Sequence, residues 1–332
     1  MNGKREVWVD YVKVLACILV VLGHFFQSMV KANVLPENSL YTWFNTTIYY
    51  FHVPLFFICS GYLYQRYSRV DSWKSWMNNV IKKAVTLGIP YFVFSFVTWL
   101  LKTVFSGSVN DEASGLLDTI FIHPASPYWY LYTLFFIFLI TPTIKNRLGI
   151  YIFLGLSLIL KLYSIVGGTV APLNIYVISR FCQNEIWFVF GLIISVLGIQ
   201  RIQKPVIGLV LGLCFLGLSV VTYRIDNEYV GYGMGIIACM SVLMISSSAK
   251  RIKAFDWLAR YTMPVFLMHT IFAAPMRVLL LRLGVDNVVV HVFTGIIISF
   301  LGPILAMAIF AKIKLDWIVY PRTIVYKRNN SI

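Results

Sequence analysis

Residues 205–222 read PVIGLVLGLCFLGLSVVT, a run without a single charged residue. As an α-helix this run is about 27 Å long, close to the thickness of the hydrocarbon core of a bilayer. In that core every backbone polar group must be paired within the protein, which a helix achieves by itself. A strand of a membrane barrel would instead alternate apolar and polar residues. The run therefore predicts a transmembrane helix.

Similar apolar runs recur along the whole chain of 332 residues, of which 59% are hydrophobic and 12% charged, with a mean hydropathy of +0.78. Soluble domains carry about twice that share of charged residues. We predict an all-α polytopic membrane protein, a bundle of about ten transmembrane helices that forms a single domain over residues 1–332. The predicted helices lie near residues 7–30, 41–63, 84–105, 128–144, 148–166, 181–199, 205–222, 230–248, 261–282 and 288–311.

Lys and Arg residues are distributed unevenly between alternate loops of this topology. Cytoplasmic loops of membrane proteins are enriched in both. If the first helix enters from the cytoplasm, most of the 28 Lys and Arg residues fall on the cytoplasmic side. We therefore predict a multi-pass protein of the cell (inner or cytoplasmic) membrane with both termini cytoplasmic. The basic residues do not form one amphipathic surface, so the net charge of +15 does not predict a nucleic-acid partner.

The N-terminus partly resembles a signal peptide, and the cysteine content raises the question of a metal site, but neither pattern is complete. Lys4 and Arg5 precede the first apolar run as in a signal peptide, but no small-residue cleavage site follows, so we expect a retained first helix. The five cysteines are scattered without the spacing of a metal site. We expect them to be small core residues, and we expect no metal and no permanently bound cofactor.

The first predicted helix carries three ionisable residues, Asp10, Lys13 and His24. Such residues are costly in hydrocarbon unless they are paired or face a cavity, so they are candidates for function. Asp10 and Lys13 are close enough along the helix to pair. Lys13 and His24 share one helical face and lie about 16 Å apart along the axis. In the alternative interpretation, Lys13 reaches the headgroups and His24 makes a structural hydrogen bond.

A second polar cluster lies in the predicted helix over residues 41–63, where His52, Pro54 and Ser60 interrupt apolar sequence and Arg66 follows. The proline frees backbone groups near His52. Irregular backbone is tolerated at membrane depth where a cavity or a protein contact satisfies it. The cluster therefore predicts a buried site.

Taken in order, these residues resemble the motifs of the acyltransferase family 3 membrane proteins. Lys13, ten residues and then His24, preceded by Asp10, are similar to the family's first-helix signature. FHVPLFFICSGY is similar to its F-x-x-P-L-F-F-x-x-S-G-Y stretch. Further similar stretches are KKAVTLGIPY (82–91), PYWYLYTL (127–134), FVFGLII (188–194) and YTMPVFLMHT (261–270). The resemblance extends over most of the chain and implies a stand-alone member without a fused extracytoplasmic domain.

The resemblance implies a membrane-embedded O-acyltransferase, most simply an O-acetyltransferase. Members of the family move an acyl group, commonly acetyl from acetyl-CoA, to a hydroxyl of a sugar or related envelope molecule, as in polysaccharide modification. The implied partners are cytoplasmic acyl-CoA as co-substrate, a carbohydrate or lipid-linked glycan as acceptor, and the bilayer itself. A homodimer is left open.

The resemblance also implies a donor site at the cytoplasmic ends of the first three helices. Lys13, Arg66, Lys82 and Lys83 could bind the phosphates of CoA there, with Asp10 as structural support. For any one of these four residues, the general enrichment of Lys and Arg on the cytoplasmic side is an equally good explanation of its position.

His24 would be the general base that takes the proton from the acceptor hydroxyl, because imidazole accepts and releases protons near neutral pH. His52 and His269 could line the passage, donate to the thioester oxygen, or be structural. Ser60 could carry the acyl group in a two-step route, although we prefer direct transfer. Trp129 could stack on a sugar ring, whereas an interfacial aromatic belt is the ordinary role of such residues.

Other interpretations stay open at this point. Arg180 and Glu185 flank the outer start of the sixth predicted helix and could pair with each other or contact an acceptor. A polytopic transporter of a small polar or anionic solute would also carry buried polar residues, but neither polar cluster has the second copy that transporter repeats would give. A non-catalytic scaffold would leave the motif similarities unexplained.

Overall fold

A computed structural model of the protein describes residues 6–321, apart from residues 69, 109, 111–113 and 169. Lys4 and Arg5, which contribute to the predicted topology, lie outside the described residues. The part of the chain that is described forms α-helices with short 3₁₀ and π turns and no β-strand. The helices are α1 (Val7–Lys31), α2 (Ser39–Tyr49), α3 (His52–Tyr67), α4 (Trp73–Val104), α5 (Trp129–Ile140), α6 (Arg147–Val166), α7 (Tyr176–Leu197), α8 (Pro205–Thr222), α9 (Glu228–Ser246), α10 (Lys253–Leu258), α11 (Thr262–Arg282) and α12 (Val288–Lys312).

The structure confirms the predicted all-helical membrane architecture. Among the described residues, eight helices are long and apolar enough to cross a membrane, namely α1, α4, α6, α7, α8, α9, α11 and α12. The shorter apolar helix α5 and the α2–α3 pair occupy the two remaining positions at which the sequence predicts a transmembrane helix. The direction of insertion, and with it the cytoplasmic position of the termini, stays a prediction.

The predicted helix over residues 41–63 is two helices in the structure, α2 and α3, with a break at Tyr50 and Phe51. The physical reason is Pro54, because a proline ring clashes with the carbonyl four residues earlier, which here is Tyr50. The break packs against α9, where the Cys239 thiol donates to the Phe51 carbonyl oxygen at 3.9 Å. A tertiary hydrogen bond therefore reaches a backbone carbonyl at the break in the helix.

Helix α4 begins earlier than the predicted range of 84–105, at Trp73. Ser72 and Ser75 form a capping box at its start, in which each side chain bonds to the backbone N–H of the other residue. Such a box satisfies two of the amide groups that a helix N-terminus leaves without partners. Polar residues at the start of α4 are therefore part of the helix.

Helices α3 and α7 cross in unusually close contact at two glycines. A Cβ atom at Gly61 would lie 2.0 Å from the carbonyl oxygen of Phe188, and one at Gly191 would lie 2.0 Å from the carbonyl oxygen of Ile58. Small residues let helix backbones approach closely within a membrane. The glycines in two of the motif stretches thus set the distance between the two helices.

Candidate active site

A cavity of about 1120 Å³ opens at one end of the helix bundle. Its lining comes from the C-terminal parts of α1, α4, α6 and α11 and from the N-terminal parts of α3, α5, α7 and α9. These two groups of helices therefore run in opposite directions, and the cavity opens at the end of the bundle where α1 terminates. This end is named the α1-end face below, and the opposite end the α1-start face.

His24 is half-buried on the wall of this cavity, beside His269. The centroids of the two imidazole rings are 5.4 Å apart. Nε2 of His24 lies 3.4 Å from Oγ of Ser126, in the loop before α5. Nδ1 of His269 donates to the carbonyl oxygens of Val265 and Phe266, each at 3.0 Å. These bonds assign the proton of neutral His269 to Nδ1 and leave Nε2 as its acceptor nitrogen.

His52 faces the same cavity from the break between α2 and α3. Its Nδ1 donates to the carbonyl oxygen of Ile48 at 2.6 Å, and its ring packs edge-on against Tyr49 with the centroids 4.6 Å apart. The Tyr49 hydroxyl donates to Oε1 of Gln27 at 3.0 Å, which connects the break to α1 one turn beyond His24. The irregular backbone that Pro54 causes therefore positions an imidazole at the cavity.

The ring nitrogens of the three histidines lie near hydrogen-bonding groups of the protein. Within the residues that the structure describes, no group of three or more His, Cys, Asp or Glu side chains is placed to hold a metal ion. Two of the three imidazoles use Nδ1 to bond to backbone carbonyls. Neutral imidazoles at a cavity can accept and release protons during catalysis.

Trp129 also lines the cavity, where its ring contacts a guanidinium group. Cζ of Arg180 lies 4.7 Å from the centroid of the Trp129 ring and 5.1 Å from that of Tyr176. Nη1 of Arg180 donates to Oε1 of Gln183 at 3.4 Å. The aromatic residue predicted to stack on a sugar is thus part of a cation–π group on the cavity wall.

The basic residues predicted to bind the CoA phosphates lie towards the α1-start face and are not part of the cavity lining. Nε of Arg66 is 3.7 Å from Oε1 of Glu6. Lys82 is exposed on α4. Nζ of Lys83 lies 3.7 Å from the centroid of the Phe138 ring. The structure brings the predicted histidines and the tryptophan together at one end of the bundle and places this basic group towards the other.

Lys13 and Asp10 lie in the first two turns of α1, also outside the cavity lining. Because α1 is continuous, Lys13 keeps its axial separation of about 16 Å from His24. Ser60 is outside the lining as well, with its hydroxyl oxygen 3.0 Å from that of Tyr130. Since Tyr130 itself lines the cavity, Ser60 lies directly behind the wall.

Arg180 and Glu185, both on α7, do not pair with each other. Glu185 is buried, and its Oε1 accepts a hydrogen bond from Oγ1 of Thr141 at 2.7 Å. Its Oε2 has no hydrogen-bond partner among the described residues. Of these two residues only Arg180 lines the cavity.

Several cavity residues have no assigned role in the sequence-based prediction, notably Ser126, Lys102, Lys161 and Arg277. The sequence alone could have identified Arg277 as a candidate, because it is an ionisable residue inside an apolar helix. The same criterion selects Lys13. The sequence does not identify Ser126 as a candidate, because only the path of the loop brings its hydroxyl to His24. Convergence of such distant positions depends on helix packing.

Comparison with known proteins gives a family match over most of the chain. Residues 6–308 match the family model Acyl_transf_3, which is described as an acyltransferase domain. No solved structure matches the chain.

Two curated relatives are both called nodulation protein NolL. The protein from Mesorhizobium japonicum is 26% identical over 233 residues, which cover 68% of this chain and 60% of the relative. The protein from Sinorhizobium fredii is 30% identical over 182 residues, which cover 54% of this chain and 48% of the relative. The matched part of the chain thus spans about half to three fifths of the length of these relatives.

Proposed function

Because the chain belongs to the acyltransferase family 3, we propose that it is a membrane-embedded acyltransferase that transfers groups other than aminoacyl groups. The proposed donor is acyl-CoA, most simply acetyl-CoA. The proposed acceptor is a hydroxyl of a cell-envelope carbohydrate or lipid-linked glycan. The observation that carries this proposal is the imidazole of His24 on the wall of a cavity of about the size of small-molecule sites, with the buried imidazole of His269 beside it.

In the proposed reaction, His24 accepts the proton of the acceptor hydroxyl while the hydroxyl oxygen attacks the carbonyl carbon of the thioester. A C–O bond forms and the tetrahedral intermediate collapses with cleavage of the C–S bond. The proton on His24 then passes to the departing CoA thiolate, so the imidazole ends neutral. A positioned general base of this kind contributes about 10² to 10⁴ in rate.

His24 is the better base of the imidazole pair because it is half-buried on the cavity wall, whereas His269 is buried. In the tautomers that their backbone bonds assign, Nε2 of His52 and Nε2 of His269 carry no proton and are acceptor nitrogens. We therefore propose that His52, which lines the cavity, accepts a hydrogen bond from a bound hydroxyl, and that the buried His269 lies behind His24. Donation to the thioester oxygen would require another tautomer.

We propose that donor and acceptor approach from opposite faces. The predicted phosphate-binding residues Lys13, Arg66, Lys82 and Lys83 lie towards the α1-start face, which we take as cytoplasmic because acyl-CoA is made there and basic residues favour that side. The extended pantetheine arm would then carry the thioester to His24, about 16 Å beyond Lys13 along α1. The cavity at the α1-end face would admit the acceptor from the outside.

The test uses the full chain, purified in detergent, with radiolabelled acetyl-CoA and a panel of monosaccharides and glycolipids. We expect wild-type protein to release CoA thiol and to label an acceptor. We expect His24→Ala to lower that rate by about 10²-fold or more. His123→Ala is the matched control, because His123 is exposed in a loop and does not line the cavity.

The control should retain the wild-type rate, and both variants should retain the wild-type folded fraction on size-exclusion chromatography. Full activity of His24→Ala would remove His24 from the mechanism. Failure of the wild-type protein to bind or turn over any acyl-CoA would overturn the proposed function itself.

A further inference from the structure

The cavity at the α1-end face has a strongly basic lining. Its Lys and Arg residues come from five different helices, and Glu228 is the one acid among the described lining residues. The basic residues are Lys31, Lys102, Lys161, Arg180, Arg277 and Arg282. A cleft lined by charges of one sign, with low-dielectric walls, concentrates its potential inside the cleft.

Four of these cations, Lys102, Lys161, Arg180 and Arg277, form no ion pair with a carboxylate in the part of the chain that the structure describes. Glu228 shares the cavity with them and forms no salt bridge with any of the four, although it interacts electrostatically with Lys161 at longer range. Cationic side chains within membrane-spanning helices normally pair with acidic side chains or backbone carbonyls, or they face a water-filled cavity. Among the described lining residues one acid faces six cations, so the cavity favours an anionic ligand.

Arg277 shows the need for an anion most directly, since it is 5% exposed. One of its terminal nitrogens, Nη1, donates to the carbonyl oxygen of Ser28 at 2.8 Å and also bonds to the Ser28 hydroxyl. Its Nε has no hydrogen-bond partner in the described chain. Both groups that Arg277 bonds to are neutral, so no carboxylate in the described part of the chain neutralises its buried charge.

Arg180 and Lys161 are held mainly through aromatic rings. The guanidinium carbon of Arg180 lies over the rings of Trp129 and Tyr176, and Arg180 makes one long hydrogen bond. Nζ of Lys161 lies 5.5 Å from the centroid of the Tyr232 ring. Because Arg180 makes only one hydrogen bond within the described chain, most of its five N–H donors stay available for bidentate contact with a carboxylate or phosphate.

We propose that the acceptor is anionic, a glycan that carries carboxylate or phosphate groups near the hydroxyl that is acylated. This inference rests on the proposed function, because it assigns the cavity to the acceptor. The cations surround the cavity from several helices, so an extended ligand with several negative groups compensates more of them than a small ion could. A neutral sugar would supply no negative charge to Lys102, Lys161, Arg180 and Arg277.

The experiment measures the unfolding temperature of the full chain in a neutral detergent with matched probes. D-Glucuronate and glucose 1-phosphate are the anionic probes, and D-glucose is the neutral one. A ligand that binds only the folded state raises the unfolding temperature. We expect the two anions to raise it in the millimolar range and glucose to leave it unchanged.

Arg180→Gln and Lys161→Gln should each raise the apparent Kd of the anions about ten- to a hundredfold, the loss that accompanies removal of a charge-assisted hydrogen bond. Lys312→Gln is the matched control and should change nothing, because Lys312 is exposed at the end of α12 and does not line the cavity. Arg277 is not used, since its buried contact with Ser28 could be needed for folding.

Equal shifts with glucose and glucuronate, or anion binding unchanged in both variants, would overturn the inference. So would loss of the glucuronate shift in saturating CoA, because the cavity would then be the donor's site. Thiol release from acetyl-CoA, measured on the same samples, tests the proposed function separately. Selective anion binding without any acyl-CoA turnover would refute the proposed function and leave an anion site of another purpose.

Discussion

Replacement of either glycine at the crossing of α3 and α7 should destabilise the protein strongly. At Gly61 an added methyl group would lie 2.0 Å from the carbonyl oxygen of Phe188, and at Gly191 it would lie 2.0 Å from that of Ile58. Real Cβ contacts essentially never fall below 3.0 Å. The two helices must therefore separate by about 1 Å or more to admit one methyl group.

The expected magnitude follows from the nature of the obstructing atoms. A flexible side chain could rotate away, but a backbone carbonyl moves only with its helix. Overpacking of a well-packed core costs about 1–3 kcal/mol, and displacement of a whole helix lies at the upper end of that range. We expect Gly61→Ala and Gly191→Ala each to lower the free energy of unfolding by about 3 kcal/mol. The double variant should lose less than the sum, because both changes push apart the same crossing.

Gly155→Ala and Gly217→Ala are the matched controls. Both positions are inside transmembrane helices, and an added Cβ would meet nothing within 4 Å at either one. In a helix interior, alanine is favoured over glycine by up to about 1 kcal/mol. The controls should therefore be neutral or slightly stabilising, which separates the steric effect from the general effect of the substitution.

Unfolding in increasing sodium dodecyl sulfate, followed by fluorescence of the nine tryptophans, measures these differences. The assay must show a reversible transition for the wild-type protein before the variants are compared. If Gly191→Ala unfolds within about 0.5 kcal/mol of Gly217→Ala, a difference typical of neutral surface changes, the close crossing of α3 and α7 is incorrect.

Three further outcomes are expected. Thr141→Val leaves both oxygens of the buried Glu185 carboxyl without a hydrogen-bond donor in the described chain and should cost about 1–3 kcal/mol in the same titration. His123 holds the pKa of Asp118 below its ordinary value through a hydrogen bond of 2.7 Å, so His123→Ala should raise that pKa in a ¹³C NMR titration. The stabilisation by this pair is present above the ordinary Asp pKa and is lost as the pH falls through the lowered one. Pro54→Ala permits a continuous helix through the break and should lower acetyl transfer while the folded fraction on size-exclusion chromatography stays unchanged; an unchanged rate would show that the break does not position the site.

The positions of the helices follow closely from the sequence, and the exceptions have local causes. The predicted range 205–222 is α8 to the residue, and most other ends agree within a few residues. The apolar pattern over 41–63 does not show that Pro54 splits the helix at Tyr50. Hydropathy measures only the polarity of side chains and does not report the clash between the proline ring and the backbone carbonyl of Tyr50. The polar start of α4 is missed for the opposite reason, since its first turns lie outside any apolar run.

The candidate site was predictable only in part. Lys13 and His24 share a face because both lie on one helix, and that part of the prediction needs no tertiary structure. The neighbours of His24 come from other segments, with Ser126 supplied by a loop and His269 by α11. The cation that the sequence could have singled out, Arg277, becomes informative only when its position beside the cavity is known.

The sequence by itself determined that this protein is a bundle of membrane-spanning helices, because the free energy of moving a segment into hydrocarbon depends on that segment's own length and composition. It also supplied the motifs that indicate the family. The tertiary structure decided which faces of the helices meet. That choice depends on close contacts such as the Gly61–Gly191 crossing and on the break before Pro54, and these place His24 and a ring of cations from distant parts of the chain around one cavity.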